Sequence, residues 1–227
     1  MKKIIKVITL LLVIGLITAC HNGDAMKFKE DYESLNGETN KNGKEYRTIT
    51  IDNDNPFVYN SLKKINKRIK NKETFIVYFG ANWCPWCRSM LPTAIEKAKE
   101  KGIDKIYYID VRPDNDTNKD IRDIYDVDKN GNIYLSHKGT NEYHEFLNHA
   151  NNVLDEYTSH GISVKGTKYA GEKRVDAPSF ILVKDGKAKK LETGVSNLQT
   201  NPYMELNDEI IKDMQNKFDA LYNEYLQ

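Results

Sequence analysis

Cys84 and Cys87 stand two residues apart in the run Trp83-Cys84-Pro85-Trp86-Cys87. That spacing lets both sulfurs meet in one small ring, so the pair could cycle between dithiol and disulfide. It is also half of a tetrahedral zinc site. A structural zinc needs four ligands, and the chain has no second pair of this kind. His137, His144, His149 and His160 lie far along the chain, and His144 and His149, five apart, do not share a helical face. No metal is therefore expected, and the histidines are assigned surface or packing roles. A disulfide across so short a loop constrains little of the unfolded chain, so reactivity explains the pair better than stability does.

The surrounding elements must hold these thiols. Phe75 to Phe79 (FIVYF) is a continuous apolar run of strand formers, suited to a strand buried on both faces. From Cys84 to Lys101 the apolar residues Met90, Leu91, Ala94, Ile95 and Ala98 recur at helical spacing, and Gly102 ends the run. The motif thus falls where a strand turns into a helix. Unpaired N–H groups and the helix dipole there favour an anion, so Cys84 is the expected nucleophile with a lowered pKa. Pro85 suits the first helical position, which needs no N–H donor. Cys87, one turn deeper, is the expected resolving thiol.

Ile106 to Val111 (IYYIDV) predicts a second buried strand and hence a parallel βαβ unit. Upstream, Arg47 to Ile51 alternates like a short strand. Asn55-Pro56 offers a helix cap, followed by Val58, Leu62, Ile65 and Ile69 on one stripe. Downstream, a short helix is expected around Ile121, Ile124 and Tyr125, and a longer one from Tyr143 to Tyr157, with a turn-rich stretch between them. Ser179 to Lys184 and Lys187 to Glu192 flank Asp185-Gly186 as a β-hairpin, and Asn201-Pro202 opens a last helix.

The chain has 227 residues, 30% of them charged, room for one domain with insertions. Its first nineteen residues differ in kind: Lys2, Lys3 and Lys6 precede an almost wholly apolar run from Val7 to Ala19, read as a signal peptide. Ile17-Thr18-Ala19-Cys20 resembles the lipobox of bacterial lipoproteins, which implies lipidation of Cys20 and a membrane-anchored protein facing the extracytoplasmic side. An ordinary cleaved signal or an uncleaved anchor are the alternatives, and each places the body where disulfides persist. Residues 20–45, polar and aperiodic, read as a flexible tether, leaving 46–227 as the folded domain. Without residues 1–19 the chain holds 31 basic against 33 acidic residues, so nothing points to nucleic acid.

FIVYFGANWCPWCRSMLP resembles the active-site segment of the thioredoxin superfamily, and Pro92 matches that family's helical proline. Ala177-Pro178-Ser179-Phe180, the hairpin after it and Gly194 are similar to the family's cis-proline loop, strand and following glycine. The resemblance covers residues 46–110 and 175–225. It implies an α/β thioredoxin-like fold, a central mixed sheet flanked by helices, with 112–174 as a largely helical insert before the cis-Pro strand. By the same resemblance, Ala177 and Pro178 border the cysteines and offer backbone groups to a substrate chain. Trp83 and Trp86 are read as a partly exposed docking rim, with core packing as the alternative.

Two departures stand out. The family's buried Asp, and the Lys on the next strand, correspond here to Tyr78 and Ile106, so the resolving thiol lacks its usual proton acceptor. The dipeptide between the cysteines is Pro-Trp, which leaves the direction of electron flow open. In the insert, Asp126-x-Asp128-x-Asn130-Gly131-Asn132 echoes the start of an EF-hand loop, but His137 stands where the last ligand should be, and a plain Asn-Gly turn is preferred. The expectation is a monomeric thiol–disulfide oxidoreductase acting on exported proteins. It would need no cofactor beyond its own cysteines, and a membrane redox partner would recycle it. The alternative is a non-catalytic accessory lipoprotein of a secretion or peptide-export system.

Overall fold

The computed structural model describes residues 23–159 and 161–227. The segment read as a signal peptide, Cys20 and His160 lie outside the described residues. Among those described, no helix is long and apolar enough to cross a membrane.

Five strands form the central sheet: β1 (Phe57–Tyr59), β2 (Phe75–Gly80), β3 (Ile106–Asp110), β8 (Ser179–Lys184) and β9 (Lys187–Glu192), in the order β1-β3-β2-β8-β9. β3 runs parallel to both β1 and β2, while β8 and β9 are antiparallel additions, so the sheet is mixed. β2 lies in the middle and every one of its residues is buried, as its unbroken apolar run requires. Helix α1 (residues 23–33), α3 (Pro85–Glu100) and α5 (Asp208–Leu226) cover one face. On that face Tyr78 of β2 meets Tyr32 of α1, and the Tyr222 hydroxyl of α5 donates to the Ala94 carbonyl of α3 at 3.1 Å. Helices α2 (Leu62–Lys70) and α4 (Asn141–Ala150) cover the other, where Phe79 packs on Phe146.

From residue 23 onward, the segment read as a tether is folded. Ala25, Phe28 and Tyr32, spaced three and four apart, are fully buried on the inner face of α1. Only three apolar residues make that stripe, too few to stand out in a polar stretch. The expected strand at 47–51 is instead an extended chain whose backbone bonds go to side chains. Asn36 brackets Ile49, accepting from its N–H at 3.1 Å and donating to its carbonyl at 2.8 Å, and Glu33 accepts from Ile51 N at 2.8 Å. Those partners satisfy the backbone without a neighbouring strand.

Two helices start later than expected. Asn55 caps nothing: its amide donates to the Ala25 and Asp52 carbonyls, both at 2.8 Å, and Val58 lies in β1. α2 begins after Ser61, whose hydroxyl accepts from Lys64 N. α5 begins after Asn207, while the Asn201-Pro202 region turns back to Arg47, which donates to the Met204 carbonyl at 2.5 Å.

The insert is mixed rather than largely helical. After the 3₁₀ turns Pro113–Asn115 and Thr117–Lys119 comes a hairpin of β4 (Ile124–Val127) and β5 (Ile133–His137). α4 and the short pair β6 (Thr158–Ser159) and β7 (Ile162–Ser163) complete it. Ile124 and Tyr125 are strand residues because Tyr125 packs its ring on Tyr157 and Tyr169 in a small separate core. Asp128 closes the hairpin turn, accepting from the N–H groups of Asn130 and Asn132 at 2.8 Å, so this stretch is the Asn-Gly turn of a β-hairpin. Among the described residues no His, Cys, Asp or Glu cluster could hold a metal ion.

Candidate active site

Cys84 is the N-cap of α3, in extended backbone conformation, with Pro85 next in the helix. Its sulfur accepts from the Cys87 N–H at 3.3 Å, the bond a capping side chain makes to a first-turn donor. From 93 residues away, the loop before β8 places the Ala177 carbonyl 3.4 Å from the same sulfur, where the thiol can donate to it. The Ala177–Pro178 peptide is cis. Cys84 is 4% exposed and Cys87 fully buried, and both thiols are free.

Trp83 and Trp86 are half-buried, packed against the edge of the core. The Trp83 indole donates to the Arg112 carbonyl at 3.0 Å and lies under the Arg112 guanidinium. Ser89, a turn below Trp86, bonds to the Trp86 carbonyl at 2.8 Å.

The two thiols are driven apart electrostatically. Burial pushes Cys84 up, but hydrogen bonds from the Cys87 side chain and N–H, the Arg122 charge and the Trp86 N–H outweigh it and leave this thiol below its ordinary range. Burial pushes Cys87 well up, and the neighbouring Cys84 adds to it. One sulfur is prepared to be an anion and the other held neutral, the division that a nucleophile and a resolving thiol require.

Arg122 was not foreseen. It comes from the insert, 4% exposed at its side chain, with its Nε and Nη2 donating to the two Asp120 carboxylate oxygens at 2.9 Å. Asp120 also takes Arg112 at 2.7 Å, so two cations share one carboxylate and the group carries a net positive charge beside Cys84. Nothing in the spacing Asp120-x-Arg122 signals this. Replacing Arg122 by Met is expected to raise the Cys84 pKa and slow its alkylation by iodoacetamide near pH 6 about 3- to 10-fold. Arg122→Lys should restore much of the rate. An unchanged rate-against-pH curve for the Met variant would show that the guanidinium does not act on the thiol.

Tyr78, at the position where the family's buried Asp was expected, neighbours Cys87, and burial together with the Cys87 sulfur pushes its phenol well above the ordinary range. The Tyr32 hydroxyl lies 3.1 Å from the Tyr78 hydroxyl. Beside Tyr78 on β3 stands Tyr108, two residues beyond the expected Ile106. Arg88, the residue after Cys87, is entirely buried. It donates to the carbonyls of Arg47, Tyr32 and Asn82 at 2.9, 2.6 and 3.2 Å, and to the Asn36 side-chain oxygen at 2.7 Å. All four acceptors are neutral.

His144 pairs with Asp123 and His137 meets the Asp120 carbonyl, so both serve the insert's packing, away from the thiols.

A mixed sheet carrying a CxxC pair at the N-terminus of the helix after its central strand, faced by a cis-proline loop, defines the thioredoxin-like class. Residues 57–158 match the Thioredoxin family model, which is consistent with membership of the thioredoxin superfamily. The match runs through about three quarters of the insert and stops before the 177–192 loop and hairpin. No curated protein matches the chain. Members of this family are generally thiol–disulfide oxidoreductases.

Proposed function

We propose that the chain is a membrane-anchored, extracytoplasmic thiol–disulfide oxidoreductase that exchanges a Cys84–Cys87 disulfide with exported proteins. The observation that carries this reading is the Cys84 thiol, lowered in pKa at a helix N-terminus, with Cys87 one turn away.

In the reducing direction the Cys84 thiolate attacks one sulfur of a client disulfide, forming a mixed disulfide and expelling the other sulfur as a thiolate. Cys87 then loses its proton and attacks the Cys84 sulfur. The client's second sulfur leaves, and both electrons have passed to the client. The reverse sequence oxidises a client dithiol, and a membrane redox partner restores the starting state in either case. The Ala177 carbonyl, bonded to the Cys84 thiol at rest, is placed to accept an N–H from a client strand lying along the loop. Trp83 and Trp86 supply half-exposed apolar surface beside it.

The basic residues, apolar run and Cys20 at the N-terminus support the lipid anchor. Helix α1 is under way by residue 23, so an anchor at Cys20 would hold the domain within about 10 Å of its attachment point. Expressed in the producing cell, the Cys87→Ser variant should accumulate thiol-reversible mixed disulfides with exported proteins. A variant that traps no client, while the unaltered protein also lacks exchange activity, would favour the accessory-subunit alternative.

A further inference from the structure

The resolving step poses a problem of proton removal. Cys87 has no solvent exposure and its burial favours the neutral thiol, yet it must lose a proton to attack. Among the described residues, the titratable groups that act on it most are Cys84, the N-cap of α3, and Tyr78 of β2, with Arg88 of α3 and Tyr32 of α1 beside them, and none of these is a carboxylate.

We propose that Tyr78, Tyr32 and Tyr108 form a proton relay that carries the Cys87 proton through the core to the open cleft beside Asp110. The proposal rests on the thiol–disulfide reading above.

The three tyrosines are contiguous. Tyr78 neighbours the Cys87 sulfur, the Tyr32 and Tyr78 hydroxyls lie 3.1 Å apart, and the Tyr108 ring stacks on Tyr78 at 5.5 Å and lies 6.3 Å from that of Tyr32. All three side chains are fully or almost fully buried. Their ring neighbours Phe28, Phe57 and Phe180 show that phenyl groups fill this region. Three hydroxyls there cost desolvation unless each is bonded, so packing alone does not account for them. Room is made for one of them: a methyl at Gly80, two residues along the same face of β2, would overlap the end of the Tyr78 ring and its hydroxyl.

Tyr108 borders a cleft of about 660 Å³ at the carboxyl ends of β1 and β3, lined also by Tyr59, Asp31 and Asp110. Burial raises the Asp110 carboxyl to about 6, with Asp31 and Asp114 adding to the rise and the Arg112 N–H and Arg122 opposing it. Such a group can take up a proton near neutrality and release it to water. The three phenols, all pushed well above their ordinary range by burial, stay neutral and pass the proton without holding charge. In the step itself the Cys87 proton goes to the Tyr78 oxygen. Each hydroxyl hands its own proton onward, and the last reaches Asp110 or water in the cleft. The Cys87 sulfur is left accepting from Tyr78 as it forms its bond to Cys84.

The reduced full-length chain mixed with Ellman's reagent in a stopped-flow instrument should release thionitrobenzoate in two phases. The first is bimolecular attack by Cys84, the second unimolecular resolution by Cys87. Tyr78→Phe is expected to slow the second phase about 100-fold at pH 7, recovering as pH rises, with the first phase unchanged. Tyr32→Phe should act in the same direction by about tenfold, and it decides the matter if the Tyr78 variant does not fold. A second phase with unaltered rate and pH profile in the folded variants would overturn the relay while leaving Cys84 as nucleophile. Absence of both phases in the unaltered chain would instead overturn the thiol–disulfide reading.

Discussion

Cys84→Ser is expected to reduce disulfide exchange by roughly 10³-fold or more while leaving the fold intact. The hydroxyl is nearly isosteric and can still accept from the Cys87 N–H, so the helix cap survives. What disappears is the nucleophile, because no other described thiol is lowered in pKa: Cys87 is fully buried and shifted the opposite way. Reduction of a fluorescent glutathione disulfide measures the loss, and thermal melting checks the fold. Exchange at more than about a tenth of the unaltered rate in a variant with unchanged melting would mean that the chemistry lies elsewhere.

The second large effect is on stability. Arg88→Met is expected to cost about 3–5 kcal/mol. The guanidinium joins the active-site helix to the segment from Tyr32 to Arg47, and its loss removes the donor from the Arg47, Tyr32 and Asn82 carbonyls, while the Asn36 side-chain oxygen keeps only the Ile49 N–H. Met fills most of the volume and avoids the cost of burying a charge, which holds the penalty below the sum of four charged hydrogen bonds. Since Tyr32 lies in that segment, proteolysis of the 34–45 region should accelerate together with loss of the Tyr32–Tyr78 contact. Urea unfolding measures the first effect and limited proteolysis the second. A Met variant within about 1 kcal/mol of the unaltered protein would show that Arg88 does not pin the segment. Arg88→Lys should recover little, since one ammonium cannot reach four acceptors arranged around a planar fork.

How far the sequence revealed the molecule depends on how locally each feature is encoded. β2, the start of α3 and the β8–β9 hairpin were legible because unbroken apolar runs, a proline at a helix start and an Asp-Gly turn report on their own neighbourhoods. The cysteine pair and its helix N-terminus belong to the same kind of local signal. α1 was missed because its burial depends on a sheet that only long-range folding creates. Residues 47–51 look like a strand for the same reason: alternation records which side is buried, not which group takes the backbone hydrogen bonds.

The site's electrostatics were the least legible. Tyr78 was noted as a departure, yet its contact with Cys87 and with Tyr32, 46 residues earlier, follows only from tertiary structure. Arg122 reaches Cys84 from an insert whose spacing carries no marker, and its effect arises through a carboxylate shared with Arg112. Charges of this kind are set by packing across the chain, so a reading that proceeds residue by residue finds the nucleophile and overlooks what tunes it.

The most direct test of the central claim is a redox titration of the full-length chain in glutathione buffers, following the Cys84–Cys87 disulfide by alkylation and mass. The account predicts one two-electron transition, with a midpoint between about −270 and −120 mV, in which both thiols protect each other and Cys20 takes no part. Failure to form that intramolecular disulfide under oxidising conditions that fold the chain would contradict it.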